Sequence, residues 1–267
     1  MKRWLTLFLA VLMVLSTVSM TVLAEEPEKI AENAPFEEQE SAVWEESVEP
    51  AMAFTVMSGF CGGDETADYD NYDKAYKNLW WTLDSTGVLT IGGEGAMMDY
   101  TDQKAPWSSY YKSSLKKLVI EEGVTTIGKS AFSGCSGFSG DLVIPNSVKT
   151  IGDNAFSLCV GFNGKLTIGS GVTSIGNGAF SSCSGFTGHL IIPYGVTTIG
   201  NSAFEYCTGF SDKLILPETV QSIGSKAFST CVGITDVCCI GSAPTVPNHN
   251  QGFYDRHRRS VRRQCYL

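Results

Sequence analysis

The stretch IGNGAFSSCSGFTGHLIIPYGVTT, residues 175–198, contains no Asp, Glu, Lys or Arg. Its opening Ile-Gly pair belongs to a series of five such pairs that recur every 24 residues. The five pairs begin at Ile127, Ile151, Ile175, Ile199 and Ile223. A fixed period of this length predicts a solenoid, in which every repeat forms one coil and stacks on the coil before it.

The remaining apolar residues recur in the same order within each repeat. An Ala-Phe pair follows Ile-Gly, then a Cys, then in most copies a Gly-Phe pair, and then a strand-like triplet that begins with Leu. In one coil the inward-facing residues are predicted to be Leu166, Ile168, Val172, Ile175, Ala179, Phe180, Cys183 and Phe186. A single coil buries too little apolar surface to offset the entropy of ordering it, so we expect the repeats to fold together.

Most of the negative charge lies outside the repeats. The chain has 267 residues and a formal net charge of -9, and residues 25–50 alone contain ten Glu and one Lys. Residues 25–52 are therefore predicted to be an acidic disordered linker, with a charged recognition tail as the alternative. The repeats are nearly neutral and present no large basic face, which argues against nucleic acid as a partner.

The N-terminus has the pattern of an export signal over residues 1–24. Two basic residues precede an apolar run at residues 5–18, and Val22-Leu23-Ala24 offers a cleavage site. A membrane anchor is the alternative, but the run is short for a span. We expect an exported mature protein, secreted or at the cell surface, with no transmembrane segment after signal cleavage.

The repeat pattern LxIPxxVTxIGxxAFxxC, present as LIIPYGVTTIGNSAFEYC at residues 190–207, resembles the BspA-type leucine-rich repeat of bacterial surface proteins. The resemblance implies an α/β-type repeat, namely a leucine-rich-repeat solenoid with short parallel strands. We assign five 24-residue repeats to residues 115–246. The resemblance also implies adhesion to a host or to other bacteria, through a protein or glycan on their surface.

The segments LWWTLDSTGVLTIGGEGAMMDY (residues 79–100), APWSSYY (105–111) and LKKLVIEEGVTTIG (115–128) resemble the module that often precedes such repeats. Residues 53–114 are assigned to this module. They are predicted to form a small β-rich capping module that covers the open end of the solenoid, because that end would otherwise expose core and strand edge. Within this module, residues 81–91 read as a hairpin that turns at Ser85-Thr86-Gly87.

Two motif-like patterns are explained by the repeat itself. Residues 123–130 match the phosphate-binding pattern GxxxxGK[ST], but residues 195–202 are the same repeat corner without the lysine. A Cys column comprises Cys135, Cys159, Cys183, Cys207 and Cys231. Stacked coils would place these residues about 4.8 Å apart with parallel Cα–Cβ bonds, which disfavours disulfides, so we interpret them as buried thiols.

No catalytic, metal or cofactor site is predicted, and we expect that the protein is not an enzyme. Asp68, Asp70 and Asp73 have a calcium-like spacing but lack the Gly and the distant Glu of a helix-loop-helix site, so we read them as a solvated loop. The three histidines are scattered, and no Ser lies in a GxSxG setting.

The candidate site is a surface formed by the strand triplets. In each triplet the middle residue and the residue before Leu are predicted to point away from the core. The middle column comprises Val143, Thr167, Ile191 and Ile215, and the outer column comprises Asp141, Lys165, His189 and Lys213. The resemblance implies that the triplets form a concave sheet, so the two columns are a candidate binding face. The alternative is that these residues only reflect the β-propensity of a sheet.

Residues 247–267, PNHNQGFYDRHRRSVRRQCYL, break the repeat and are basic. A patch for nucleic acid or heparin is one interpretation. We hypothesise instead a reading-frame shift near Tyr254 and Asp255, because the period, the acidity and the capping are lost together. The predicted function is therefore an exported binding protein, and the alternative is a passive structural spacer or a truncated fragment of a larger surface protein.

Overall fold

The computed structural model describes residues 55–62, 78–100, 105–110, 114–240 and 262–263. All of them lie in one compact unit that begins at Pro50. The predicted signal peptide, the acidic linker, the loop at residues 68–73 and nearly all of the basic tail lie outside the described residues. No helix in the described ranges has both the length and the apolar character that a membrane span requires.

Short strands dominate the described part of the chain. The capping module contributes β1 (Thr55–Phe60), β2 (Leu79–Asp84), β3 (Val88–Gly93), β4 (Gly95–Ala96) and a 3-10 helix (Pro106–Tyr110). The triplets of the repeats form β5 (Lys117–Ile120), β7 (Leu142–Ile144), β9 (Leu166–Ile168), β11 (Leu190–Ile191), β13 (Asp212–Leu216) and β15 (Ile234–Cys239). The residues that lead into each Ile-Gly pair form β6 (Val124–Ile127), β8 (Thr150–Ile151), β10 (Ser174–Ile175), β12 (Thr198–Ile199) and β14 (Ser222–Ile223), and β16 (Arg262–Arg263) lies in the tail.

The repeat strands form two parallel ladders along the solenoid. In the Thr-Ile ladder, β4, β6, β8, β10, β12 and β14 make one six-stranded sheet. In the Leu-x-Ile ladder, made of β5, β7, β9, β11, β13 and β15, paired strands are also parallel and in register, as with Leu142 and Leu166. Because the repeats have the same length, residues lie beside their equivalents in the next coil as far as β13. Between β13 and β15 the register shifts by one residue, so that Leu214 pairs with Val237. The predicted solenoid with short parallel strands is confirmed.

The third side of each coil, called here the turn side, consists of turns that bond to the next coil. In the first coil, the backbone N–H groups of Ser130, Phe132 and Gly134 donate to carbonyl oxygens of the second coil, at 2.7–2.9 Å. The following coils repeat the same three bonds. An α-helix would direct these groups along its own axis instead. The helical content implied by an α/β-type repeat is therefore limited, in the described ranges, to the 3-10 helix.

The turn side requires a left-handed backbone at residues that are not all glycine. One column has φ between 61° and 76° and comprises Gly134, Leu158, Ser182, Tyr206 and Thr230. For residues with a Cβ this conformation costs about 1–2 kcal/mol. The side chain of Leu158 is exposed, so core packing does not offset that cost.

Two columns of phenylalanine rings fill the core. The first comprises Phe132, Phe156, Phe180, Phe204 and Phe228, stacked 5.1–5.4 Å apart, and the second Phe138, Phe162, Phe186 and Phe210, stacked 5.2–5.7 Å apart. All the residues predicted to point inward in the coil that begins at Leu166 are buried. Glycine before the second ring allows close stacking, because a Cβ at Gly161 would collide with the carbonyl oxygen of Ser136.

The capping module continues the solenoid by one rung at its N-terminal end. Strand β3 pairs in parallel with β5, and β4 pairs in parallel with β6. The Trp107 ring stacks on Phe132 at 5.3 Å, and its indole N–H donates to the carbonyl oxygen of Ala131 at 2.9 Å. In later coils the backbone N–H of a phenylalanine bonds the equivalent carbonyl. Trp107 thus replaces both the ring and the donor of a preceding coil.

The predicted hairpin of the capping module is present as β2 and β3, with Trp81 opposite Ile91. Asp84 closes its turn, because its Oδ1 accepts the backbone N–H of Thr86 at 2.8 Å. At the other end of the solenoid, β16 pairs in parallel with β15. The boundary between residues 114 and 115 and the frame-shift hypothesis stay predictions.

We expect Trp107→Ala to lower the free energy of unfolding by about 3–5 kcal/mol, because it opens a cavity over Phe132 and leaves the Ala131 carbonyl unpaired. Urea unfolding of the full chain, followed by far-UV circular dichroism, measures this. Trp107→Phe keeps an aromatic ring over Phe132 but removes the indole N–H, and it should lose only about 1–3 kcal/mol. A loss below about 1 kcal/mol for the alanine variant would contradict the capping role.

We expect Leu158→Gly to raise the free energy of unfolding by about 0.5–1 kcal/mol, because glycine removes the left-handed strain at some cost in backbone entropy. Gly134→Ala is the matched control in the same column and should lower stability by about 1 kcal/mol. Steric crowding does not contribute to the stability change of this control, because a Cβ at Gly134 would meet no atom within 4 Å. Equal stabilities for both variants and the parent would show that the column is not strained.

Candidate functional site

The structure places the two predicted surface columns on the outside of the Leu-x-Ile ladder. In β7 and β9 the first and third residues are buried and the middle residue is exposed, as strand alternation requires. We call this surface the Leu-x-Ile face, and it comprises Val143, Thr167, Ile191 and Ile215 with Asp141, Lys165, His189 and Lys213. The parallel register aligns the equivalent residues of neighbouring coils into columns.

The middle column is not uniform in exposure. Val143 is 56% exposed and Ile191 is 51% exposed, and Thr167 is also exposed. Ile215 is half-buried, and it lies between Ile191 and Cys238 on paired strands. The large apolar groups that reach solvent most fully are therefore Val143 and Ile191, which lie two coils apart.

The outer column is exposed and carries mixed charge. Asp141 Oδ1 accepts the backbone N–H of Lys165 at 2.7 Å. His189 Nδ1 lies 3.9 Å from Asp212 Oδ2 and 3.4 Å from the carbonyl oxygen of Ser211. The ammonium groups of Lys165 and Lys213 form no ion pair with any residue in the described ranges. These two lysines are available to an anionic ligand.

Sequence reasoning missed one aromatic residue next to this face. Tyr194 follows β11 at the corner of its coil and is 64% exposed. Its hydroxyl donates to Glu218 Oε1 at 3.0 Å, and this hydrogen bond to a carboxylate raises the pKa of Tyr194. The equivalent positions hold Glu122, Asn146 and Ser170, so a tyrosine among polar residues was the signal in the sequence.

A second group of exposed apolar residues, also missed, lies on the turn side. It comprises Leu158, Val160, Tyr206 and Val232. These residues occupy two repeat columns that otherwise hold Gly, Ser or Thr. Leu158 and Tyr206 lie two coils apart in one of these columns, and Val160 and Val232 lie three coils apart in the other.

The phosphate-binding pattern at residues 123–130 is a corner of the first coil. Strand β6 ends at Ile127, and the turn side begins directly afterwards with Ser130 at a φ of 56°. The backbone N–H of Lys129 donates to Asp99 Oδ1 at 2.6 Å. This corner lacks the helix N-terminus that a phosphate-binding loop presents to its ligand.

The Cys column is buried, and its five thiols form no disulfide. From the second coil onward each thiol donates to a phenylalanine carbonyl oxygen of the preceding coil at 3.0 Å, as Cys183 does to Phe156. Each of these carbonyls also accepts the backbone N–H of the cysteine in its own coil, so the thiol adds a second hydrogen bond to it. Within the described ranges, no group of three His, Cys, Asp or Glu residues is arranged to hold a metal ion.

Burial makes these thiols chemically inert at neutral pH. It raises the pKa of Cys183 and that of Cys231 from 9.0 to about 12. It also raises the pKa of Cys159 and that of Cys207, and neighbouring thiols add to that effect. The thiolate is the form that attacks electrophiles and binds metals, so the column offers neither chemistry.

We expect the free energy of unfolding to fall as the pH rises above about 9. The thiols then ionise in the unfolded chain but stay protonated in the fold, so the stabilisation present below pH 9 is lost as the pH rises towards 12. Each buried thiol should contribute about 1.4 kcal/mol per pH unit. Urea titrations across this pH range should show a slope that is smaller by this amount in Cys183→Ala. Ser184→Ala is the control and should keep the parent's slope, whereas an unchanged slope in Cys183→Ala would contradict the expectation.

Comparison with known proteins agrees with this geometry. The sequence profile of the BspA type leucine rich repeat region matches residues 104–235 and 187–249, in six copies. Among proteins of curated function, none matches the sequence. A leucine-rich repeat protein from Eubacterium ventriosum is similar in structure, with 22% identity and a TM-score of 0.52 over 73% of this chain. A T. pallidum leucine rich repeat protein has 26% identity and a TM-score of 0.40, over 61% of this chain and 69% of its own.

The chain spans 45% of the length of the Eubacterium ventriosum protein, so that likeness shows the solenoid fold and nothing about the rest of that protein. The repeat profile, in contrast, covers more than half of this chain and includes both strand ladders of the repeats. Five in-register coils, each with an inward Leu, Ile, Phe and Cys, explain why the profile matches. The chain belongs to the BspA-type leucine-rich-repeat family.

Proposed function

We propose that the protein is exported and that its Leu-x-Ile face binds a surface protein or glycan of a host or of another bacterium, as an adhesin does. Family membership implies a protein-binding repeat protein. The main support for using this face is the exposure of Val143 and Ile191, both more than half accessible on a regular sheet. Aligned exposed apolar side chains lose unfavourable contact with water when a partner covers them.

The rigidity of the sheet also supports a binding role. Parallel pairing holds Leu190 beside Leu214 and Ile191 beside Ile215, and the buried neighbours fix the direction of each exposed side chain. A preorganised surface loses little conformational entropy on binding, so more of the contact energy remains as affinity.

A passive spacer is the second candidate function. It is favoured by the residue types of the middle column, because Val143, Thr167, Ile191 and Ile215 are all β-branched. Such residues suit an exposed strand whether or not a ligand is present. A spacer has no affinity to lose, which separates the two functions by experiment.

The test is a binding screen of the full chain against host matrix proteins, mucins, glycans and bacterial surfaces. We expect the double variant Val143→Lys/Ile191→Lys to weaken binding by about tenfold or more, because it places hydrated charges in the centre of the contact. Its circular dichroism and urea midpoint should match those of the parent, since both side chains are exposed.

The matched control is Val160→Lys/Val232→Lys, which also replaces two exposed apolar side chains by lysine, but on the turn side. It should leave binding intact. Loss of binding in the control alone would move the site to the turn side. A folded parent that binds no probe would favour the spacer.

A further inference from the structure

The exposed residues of the Leu-x-Ile face alternate in type from one coil to the next. Large apolar side chains are exposed at Val143 and Ile191, which lie two coils apart. Lysines occur at Lys165 and Lys213, which also lie two coils apart and are offset by one coil from the apolar pair. In the two coils that carry these lysines, the middle residues are Thr167, which is polar, and Ile215, which is half-buried. The surface chemistry thus has a period of two coils.

This period corresponds to a defined distance. Neighbouring parallel strands lie about 4.8 Å apart, so equivalent groups two coils apart are separated by about 9.6 Å. A ligand lying along the solenoid would match both columns if it presented like groups on one side at intervals of about 9.6 Å.

Of the regular backbone conformations, polyproline II fits this interval. It has three residues per turn and rises about 3.1 Å per residue, so every third side chain faces the same way at about 9.3 Å intervals. A β-strand repeats on one side at about 6.7 Å. An α-helix repeats with a pitch of about 5.4 Å. Neither of these two periods matches two coils.

We propose that the Leu-x-Ile face binds a polyproline-II segment of a partner protein that carries a carboxylate at every third residue. The segment lies along the solenoid axis, with successive carboxylates on Lys165 and Lys213. The two residues between successive carboxylates, prolines in the simplest case, lie about 3.1 and about 6.2 Å along the segment from the first carboxylate. They flank the apolar side chain of Ile191, in the coil between the two lysines. This inference rests on the proposed function, because it uses the same face.

Charge complementarity supports this partner and fixes its register. Neither Lys165 nor Lys213 has an ion-pair partner within the described ranges, so each can bind a carboxylate without breaking an existing contact. The outer column also contains Asp141, in the coil before Lys165. A carboxylate placed there would be repelled, which disfavours a register shifted by one coil.

The experiment measures binding of labelled synthetic peptides to the full chain by fluorescence anisotropy. The test peptide repeats Glu-Pro-Pro. The comparison peptide has the same composition, with its glutamates in adjacent pairs separated by runs of four prolines. Both form polyproline II and carry equal charge, so only the period differs. We expect the test peptide to bind about tenfold more tightly.

The variant Lys165→Gln/Lys213→Gln should weaken binding of the test peptide by about tenfold. Lys129→Gln/Lys149→Gln is the matched control, because it changes the net charge equally but lies off the Leu-x-Ile face. It should retain the affinity of the parent. Equal losses in the two double variants would show non-specific attraction and overturn the inference.

Equal affinities for the two peptides, or no binding of either, would also overturn the inference. The proposed function is judged separately by the surface-ligand screen. A partner from that screen that is lost in Val143→Lys/Ile191→Lys would uphold the function even if the polyproline-II segment failed. If neither the surface-ligand screen nor the peptide assay gave the expected binding, both the proposed function and the polyproline-II inference would be overturned.

Discussion

The constant length of the repeat is the constraint on which the rest of the structure depends. Because the coils have the same number of residues, backbone groups meet the same partner from coil to coil, up to the one-residue shift between β13 and β15. The two strand ladders, the turn-side hydrogen bonds and the phenylalanine columns all share this register. The last coil shows how a change of length is absorbed: β15 is shifted by one residue against β13, while β14 stays in register with β12. The stability of such an array is largely a sum of contacts between neighbouring coils.

A regular array must also end, and its first coil has no predecessor. The capping module supplies β3 and β4 to the two ladders and Trp107 to the core. Its indole N–H donates to the Ala131 carbonyl oxygen, whereas in the later coils a backbone N–H donates to the equivalent carbonyl. One side chain therefore replaces a ring and a donor, which removes an exposed core surface and a buried unpaired acceptor.

Core and surface place different demands on the sequence. Buried columns are nearly identical in every coil, because a ring or thiol of another size would not stack on its neighbours. The exposed columns vary freely in charge and in polarity. Exposed residues that vary on a constant scaffold are the ones that can give binding specificity. The Leu-x-Ile face has such variable residues together with aligned, accessible apolar groups such as Val143 and Ile191. The exposed apolar residues of the turn side follow left-handed turns instead of a sheet.

The sequence alone determined the solenoid, the buried columns and the outward direction of the candidate face. These follow from period and alternation, which are local properties of the chain. Only the tertiary structure decided that Trp107 caps the core, that Cys183 donates to Phe156, that the third side is built from left-handed turns and that Ile215 is half-buried. These features depend on contacts between residues in different coils, and on how closely the coils stack. No single repeat encodes that distance, so only the assembled stack defines it.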